Sequence, residues 1–265
     1  MKNPLLKDFK STFGIPPFNE IKDRHYLPAF KAALKEHKKE IDSIINDKQI
    51  PNFENTINAL ENSGSFLSRV SRVFFNLLSA HSSEKLQDIA NEITPLLSKH
   101  RDSISLNEKL FFRIEKVYQS QENLNEEQKR LVKITYDGFK LNGSNLKKDD
   151  RSKLQKINQK LSSLTLKFGQ NTLKETNSFN LIIKEKSDLV GLPDDLIVQA
   201  KYQAEKENLK DAWLFKATRE NLYPFLTFSE NRQLREAIYK GYVNKGKNKN
   251  LNNNQKILFE IAELR

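Results

Sequence analysis

The sequence contains no cysteine. Disulfide bonds, thiolate nucleophiles and cysteine-based zinc fingers are therefore excluded, because each of them needs the sulfur of that side chain. Glycine and proline are also scarce, with 8 of each among 265 residues. Because both residues interrupt helices, their scarcity, together with abundant Leu, Lys, Glu and Gln, favours long helices.

Long apolar runs are absent as well. No stretch approaches the roughly 20 apolar residues that a membrane-spanning helix needs. The first residues, Met1–Lys7, contain no apolar segment long enough for a secretory signal peptide. The sequence therefore predicts a cytoplasmic protein without a membrane partner, and a leader cleaved from a longer precursor is the alternative.

Basic residues outnumber acidic ones by 45 to 34, which gives a net charge of +11. Such a balance permits binding to nucleic acids or anionic membranes. The lysines, however, are spread along the chain beside acidic residues at helical spacing, as in Lys35-Glu36 and Lys39-Glu40. We therefore expect no nucleic-acid partner, and a basic nucleic-acid-binding protein remains a competing hypothesis.

The apolar residues recur mostly with the 3.6-residue period of a helix. The clearest stripe predicts a helix from about Lys147 to Thr176 with a narrow, coiled-coil-like seam that packs antiparallel to a neighbour. Its members are Leu154, Ile157, Leu161, Leu164 and Phe168. Earlier helices are predicted to begin close to Pro28, at an Asn52 cap, at Ser82 or Ser83, and at a capping box of Asn125 with Gln128.

The apolar period changes to two after Asn177. Phe179, Leu181 and Ile183 recur at every second position and predict a strand, and Trp213–Phe215 predicts a second one. Sequence does not settle the relative direction of the two strands. The predicted fold class is therefore mainly α, a bundle of several helices with one small β element.

The last part of the chain again shows helical patterns. Asn221 is predicted to cap a short helix with Pro224 in its first turn, and Ser229-Glu230 to begin another. Residues 245–254 form a polar, basic loop with few apolar contacts. The final helix, which has no capping residue before Arg265, is interpreted as the start of a longer structure and as the least protected helix. Its apolar residues are Leu251, Ile257, Leu258, Ile261 and Leu264.

Catalytic motifs are missing from the sequence. Zinc-dependent peptide hydrolysis commonly uses His-Glu-x-x-His, in which two ligands and a general base share one helix face. None of the four histidines is followed by Glu, and no two of them are four residues apart: His25, His37, His81 and His100. A Gly-x-Ser-x-Gly elbow, a Walker A loop and Gly-x-Gly-x-x-Gly are also absent. We therefore predict no catalytic residue and no metal ligand in this chain, and its substrate-binding residues remain unknown.

Several short motifs, in order over nearly the whole chain, resemble the M3 family of zinc oligopeptidases, and most closely its bacterial peptidyl-dipeptidase branch. Each motif alone is weak, but their order and spacing make the resemblance specific. They are His25–Phe30, Pro51–Ile57, Ala59–Glu61, Ser63-Gly64, Leu189–Pro193, Trp213–Phe215, Tyr223–Leu226 and Asn231–Glu236.

The resemblance implies a neurolysin-like fold in which two largely helical halves enclose a substrate channel. It further implies a zinc peptidase that cleaves short peptides and, in the peptidyl-dipeptidase branch, releases dipeptides from the C-terminus. The family's His-Glu-x-x-His helix lies downstream of the stretch matched by Asn231–Glu236. Zinc is thus expected in the full-length enzyme and not in this chain, which would form one wall of the channel and pack against a missing C-terminal catalytic domain.

The resemblance also suggests how the chain is divided. Residues 1–178 are expected to form a helical domain, residues 179–228 a small α/β segment of the same domain, and residues 229–265 the start of a helical segment leading into the catalytic domain. Asn231, Arg232 and Arg235 could contact substrate, or they could simply cap and stabilise a helix. A stand-alone, non-catalytic peptide-binding protein is the alternative function.

Overall fold

The computed structural model describes residues 3–265. The chain divides into two compact units, one ending at Ser163 and the other comprising Leu164–Arg265. This division falls inside the helix predicted between Lys147 and Thr176, whereas the sequence-based limits lie at residues 178 and 228. The domain limits given by the sequence remain a prediction.

Helices make up the first unit. Within it, α1 packs against α3 and α4, and α5 packs against α6. These helices are α1 (Asp23–Asn46), α2 (Ala59–Asn62), α3 (Ser65–Ala80), α4 (Glu84–Ser105), α5 (Glu108–Gln119) and α6 (Glu126–Leu141), followed by α7 (Lys148–Ser178), which continues into the second unit.

The helix predicted to begin at the Asn52 cap is broken in the structure. Asn52 does cap it, in a reciprocal capping box with Asn55, but the first turn, Phe53–Asn58, is a π-helix. Gly64 then has φ +72°, a left-handed conformation that L residues other than glycine rarely adopt, and α3 begins directly after it. One predicted helix is therefore two, since Gly64 interrupts the chain between α2 and α3.

Two apolar clusters hold the first unit together. One lies where α1 meets α3, where the rings of Tyr26 and Phe30 meet Phe74 edge-on at centroid distances of 5.0 and 5.5 Å. The other joins the end of α1, the π-helical turn, α5 and α6 through residues that are almost completely buried: Ile41, Ile44, Ile57, Leu110, Ile114, Val117 and Val132.

Two prolines lie deeper in their helices than the sequence predicted. Pro28 occupies the second turn of α1, because that helix begins at Asp23, where His25 completes a capping box. Pro224 lies in the second turn of a helix that begins at Arg219, so the prediction that Asn221 caps this helix is wrong. Each proline lacks the N–H group that would otherwise donate a hydrogen bond within its helix.

The second unit combines the end of α7 with a two-stranded sheet and four helices. The strands pair antiparallel, with Leu181 opposite Phe215 and Ile183 opposite Trp213. The predicted mainly α fold with one small β element is confirmed. In chain order the elements are β1 (Leu181–Ile183), α8 (Asp194–Lys206), β2 (Trp213–Phe215), α9 (Arg219–Phe228), α10 (Arg232–Val243) and α11 (Gln255–Leu264).

The core of this unit lies between the sheet and the helices. Phe215 of β2 meets Phe225 of α9 edge-on at 4.8 Å, and Ile238 of α10 is fully buried beside them. A helical α10 is as predicted, but it begins after an Asn231 cap and not at Ser229-Glu230.

Helix α7 is anchored by polar residues and not by its apolar seam. The five apolar residues of the predicted stripe are only half-buried, whereas Asn171 and Glu175 are the buried residues of this helix. The Glu175 carboxylate accepts hydrogen bonds from the side-chain amides of Asn248 and Asn250 and from the Gly246 N–H. The loop before α11, which the sequence predicts to have few apolar contacts, therefore has a buried polar anchor.

Asn254, which lies directly before α11, is also held by hydrogen bonds to α7. Its side-chain amide donates to the Phe168 carbonyl at 3.0 Å and to the Thr172 hydroxyl at 3.1 Å, while its oxygen accepts from Asn171 at 2.9 Å. The buried Asn254 side chain thus replaces the hydrophobic contacts that this loop lacks.

Helix α11 itself is thinly packed, and we expect it to exchange its amide hydrogens faster than any other helix of comparable length. Ile257 is buried, but Leu258 and Phe259 are 55% and 71% exposed. Because local opening exposes little new apolar surface, amides 258–264 should exchange at least about tenfold faster than those of α5. Hydrogen exchange followed by mass spectrometry measures this difference. Exchange as slow as in α5, in a preparation shown to be monomeric, would contradict it.

Candidate functional site

A pocket of about 490 Å³ lies in the first unit, where α1, α3, α4, α6 and α7 contribute side chains. Its lining combines two imidazoles, several hydroxyls and apolar side chains. This volume lies within the range of about 300–1,000 Å³ that is usual for small-molecule sites.

The two imidazoles come from helices that pack side by side. His37 of α1 and His100 of α4 have ring centroids 4.9 Å apart, and His100 Nε2 lies 3.0 Å from His37 Nδ1. His37 Nε2 lies 3.3 Å from the Ser63 hydroxyl, which in turn donates to the Leu60 carbonyl. A histidine pair and a serine therefore form one chain of hydrogen bonds.

The direction of this chain follows from its last link. Because Ser63 gives its only proton to Leu60, His37 Nε2 must carry a proton and donate it to Ser63. A neutral His37 then accepts at Nδ1, so His100 donates from Nε2. A neutral His100 is left with an unprotonated Nδ1, which is a hydrogen-bond acceptor.

Gly64 allows the His37 ring to lie where it does. A Cβ at Gly64 would come within 2.7 Å of His37 Cε1, closer than side chains approach one another. The Gly64 N–H donates to the Glu40 carboxylate at 2.7 Å, which fixes the break between α2 and α3 against α1. The Ser63-Gly64 motif thus places one hydroxyl and one imidazole at the pocket.

Burial favours the uncharged form of both imidazoles. Burial lowers the pKa of His37, and the nearby Glu40 carboxylate offsets only part of that effect. Burial also lowers the pKa of His100, helped by His37 and by the positive charge of Lys38.

Two hydroxyls of α4 at the pocket have no hydrogen-bond partner. They are Thr94 Oγ1 and Ser98 Oγ, and Ser98 is only 3% exposed. A buried hydroxyl without a partner costs about 1–3 kcal/mol. The residues Thr94, Ser98, Arg101 and Ser105 follow each other at spacings of four and three, so one face of α4 lines the pocket.

The remaining histidines have structural positions. His25 is buried and its Nδ1 accepts from the Lys22 N–H, which completes the cap of α1. His81 is exposed at the end of α3. Among residues 3–265 no three His, Asp or Glu side chains come together in a way that could hold a metal ion.

The Asn231–Glu236 motif forms the beginning of α10. Asn231 accepts from the N–H groups of Gln233 and Leu234, and its amide donates to Asp188 at 2.9 Å. Arg235 donates to the Ser229 carbonyl at 2.6 Å. These contacts cap a helix and fix the chain before it; a contact of Asn231, Arg232 or Arg235 with substrate remains a hypothesis.

Sequence reasoning missed two buried charged groups of the first unit. Arg113 lies on the apolar stripe of α5 and donates to the Asp47 carbonyl at 2.8 Å, with the Asp47 carboxylate 3.5 Å away. Burial raises the pKa of Asp102, although Asn158 donates to its carboxylate at 3.0 Å. Their positions among apolar residues at helical spacing were the available signal.

Comparison with known proteins gives a consistent set of relatives, although no protein-family model matches the chain. Over 99% of its length, the chain is 31% identical to dipeptidyl carboxypeptidase from Escherichia coli (strain K12). It is 27% identical over its whole length to oligopeptidase A from the same organism, and 26% identical to a probable cytosolic oligopeptidase A from Arabidopsis thaliana. The chain spans 39% of the length of each of the two bacterial relatives.

Proposed function

We propose, from the premise that this chain is homologous to the dipeptidyl carboxypeptidases and oligopeptidases A of the M3 family, that it is the N-terminal, non-catalytic part of a zinc peptidase. The observation that carries the proposal is the match of 99% of the chain to 39% of a dipeptidyl carboxypeptidase. The helical fold with one small sheet agrees with the expected architecture.

The residues present do not fit a zinc site, which supports placing catalysis outside this chain. A catalytic zinc needs about three protein ligands and an open position for water. His37 and His100 use one nitrogen each to bond to one another, and among the described residues no third ligand joins them. The zinc ligands and the general base would therefore lie in a region equivalent to the part of the relatives that this chain does not match.

Within this proposal the substrate class is short peptides, and the reaction is removal of dipeptides from a peptide C-terminus. Identity is 31% to a dipeptidyl carboxypeptidase and 27% to an oligopeptidase A, which favours the first activity. The helical units would form one wall of the channel that admits the peptide.

A cytoplasmic location is part of the proposal. One relative is named as cytosolic and another as chloroplastic or mitochondrial, so the relatives' names do not agree on a compartment. Among residues 3–265, no helix combines the length and the apolar character needed to cross a bilayer. Imaging of the tagged protein in its own cell tests the location.

The purified chain is expected to bind no stoichiometric zinc and to hydrolyse no peptide. Metal analysis after dialysis should find far less than one zinc per chain, and chromatography of a blocked pentapeptide substrate should show no cleavage. The Escherichia coli dipeptidyl carboxypeptidase, treated identically, is the positive control. One tightly bound zinc together with cleavage that a chelator stops would contradict the assignment.

The nucleotide sequence downstream of the Arg265 codon tests the family proposal directly. It should encode His-Glu-x-x-His on a predicted helix, followed by a further acidic ligand. A stop codon at that point would instead favour a stand-alone protein that binds peptides without cleaving them.

A further inference from the structure

We propose that the pocket beside His37 and His100 is a binding site for a small uncharged molecule that has an apolar body and an amide or hydroxyl head group. The inference does not rest on the proposed peptidase activity, because all of the residues that line the pocket lie in the first unit of this chain.

The polar groups of the lining carry unused hydrogen-bonding capacity. Ser98 is only 3% exposed, yet its hydroxyl has no hydrogen-bond partner. The Thr94 hydroxyl has no partner either. The His37–His100 chain ends in an acceptor at His100 Nδ1. A head group that both donates and accepts hydrogen bonds, such as an amide or a hydroxyl, is chemically complementary to these groups.

The lining of the pocket also offers apolar surface. Leu67 of α3, Leu97 and Ile104 of α4, and Phe139 of α6 line it, and together with the polar groups they enclose about 490 Å³. Small-molecule sites commonly combine mostly apolar walls with a few convergent polar groups in this way. An aromatic or branched aliphatic body would fill such a space.

The charges around the pocket favour a neutral ligand over an anion. The imidazoles are uncharged because burial disfavours their protonated forms. Arg101 is the cation that lines the pocket, and its side chain is exposed, so water screens its attraction. Glu40, beside His37, adds a negative charge that would repel an anion.

The unpaired hydroxyls distinguish a ligand site from a purely structural one. A serine kept for stability would lose a hydrogen bond when it is replaced by alanine, but Ser98 has no such bond to lose. Ser98→Ala and Thr94→Val should therefore leave the melting temperature unchanged or raise it, while weakening ligand binding.

The experiment uses benzamide as the probe. The matched compounds are toluene, which lacks the amide, and benzoate, which carries a negative charge in its place. Titration of the full chain is followed by NMR of the histidine rings and the backbone amides. We expect benzamide to shift the signals of His37, His100 and Ser98 and to bind at least about fivefold more tightly than either control. Equal binding of toluene, tighter binding of benzoate, or no saturable shift with benzamide would overturn the proposal.

Variants of α4 complete the test. Ser98→Leu, which fills the pocket, should abolish the benzamide shifts, and Thr94→Val should weaken binding about threefold or more while the protein stays folded. Ser103→Ala is the control, since Ser103 is exposed on the same helix and bonds to the His100 carbonyl. Unchanged benzamide binding in both pocket variants would overturn the proposal even if the Ser98→Leu protein proved less stable.

Discussion

Replacement of Glu175 by alanine is expected to lower the free energy of unfolding of the second unit by about 2–4 kcal/mol. The Glu175 side chain is 4% exposed, and its carboxylate accepts from the Gly246 N–H, Asn248 and Asn250. Removing it leaves a buried N–H without a partner and releases the loop that leads into α11. Urea denaturation followed by the fluorescence of Trp213, the single tryptophan of the chain, measures the change.

The same carboxylate makes the stability of this unit depend on pH. Burial acts to raise the pKa of Glu175, but hydrogen bonds from Asn250, Asn248 and the Gly246 N–H outweigh it, so the pKa lies below the ordinary value of 4.5. The unfolded chain therefore binds the proton more readily, and the stabilisation is fully present above about pH 4.5. It is lost as the pH falls from there through the pKa of the folded state.

Matched variants separate this anchor from a general effect of charge. Glu205→Ala removes an exposed carboxylate of α8 and should change the free energy of unfolding by less than about 0.5 kcal/mol. Between pH 7 and pH 3, the difference between wild type and Glu175→Ala should shrink. A Glu175→Ala protein as stable as Glu205→Ala at pH 7 would show that the carboxylate contributes nothing.

The sequence did contain a signal for this anchor. The apolar stripe of α7 has spacings of three and four from Leu154 to Phe168, and the same spacing continues to Asn171 and then to Glu175. A polar residue that continues an apolar stripe lies on the buried face, where it must find hydrogen-bond partners. The helix limits followed from periodicity, whereas its buried contacts are made by the two polar residues that end the stripe.

The pocket could not be predicted in the same way. His37 and His100 are separated by 63 residues, and their contact depends on how α1 and α4 pack. Each helix was predicted from its own stripe, but no local pattern relates one stripe to another. Likewise, only the positive φ of Gly64 and the closeness of the His37 ring show why a glycine lies at the break between α2 and α3.

Gly191, in the turn before α8, is the most sterically restricted glycine of the second unit. Gly191→Ala is therefore expected to lower the free energy of unfolding by about 2–5 kcal/mol. Gly191 has φ +90°, and a Cβ there would lie 2.0 Å from the Phe228 carbonyl oxygen. Backbone atoms cannot move aside as a flexible side chain can, so the turn and the end of α9 would have to separate. The bond from the Glu230 N–H to the Val190 carbonyl, 3.1 Å long, would be disturbed with them.

Gly169→Ala provides the control, because at that position there is neither a positive φ nor a nearby atom that a Cβ would clash with. Gly169 lies inside α7, its φ is not positive, and nothing lies within 4 Å of the position a Cβ would take. Alanine there should stabilise the helix by roughly 0.5–1 kcal/mol, because it restricts the unfolded chain without a clash. Urea denaturation should show a lower free energy of unfolding for Gly191→Ala and a higher one for Gly169→Ala. That result would establish that the Leu189–Pro193 motif needs glycine for its backbone conformation and its close approach to Phe228. If Gly191→Ala were as stable as wild type, the turn would have to tolerate a Cβ, and the motif would need another explanation.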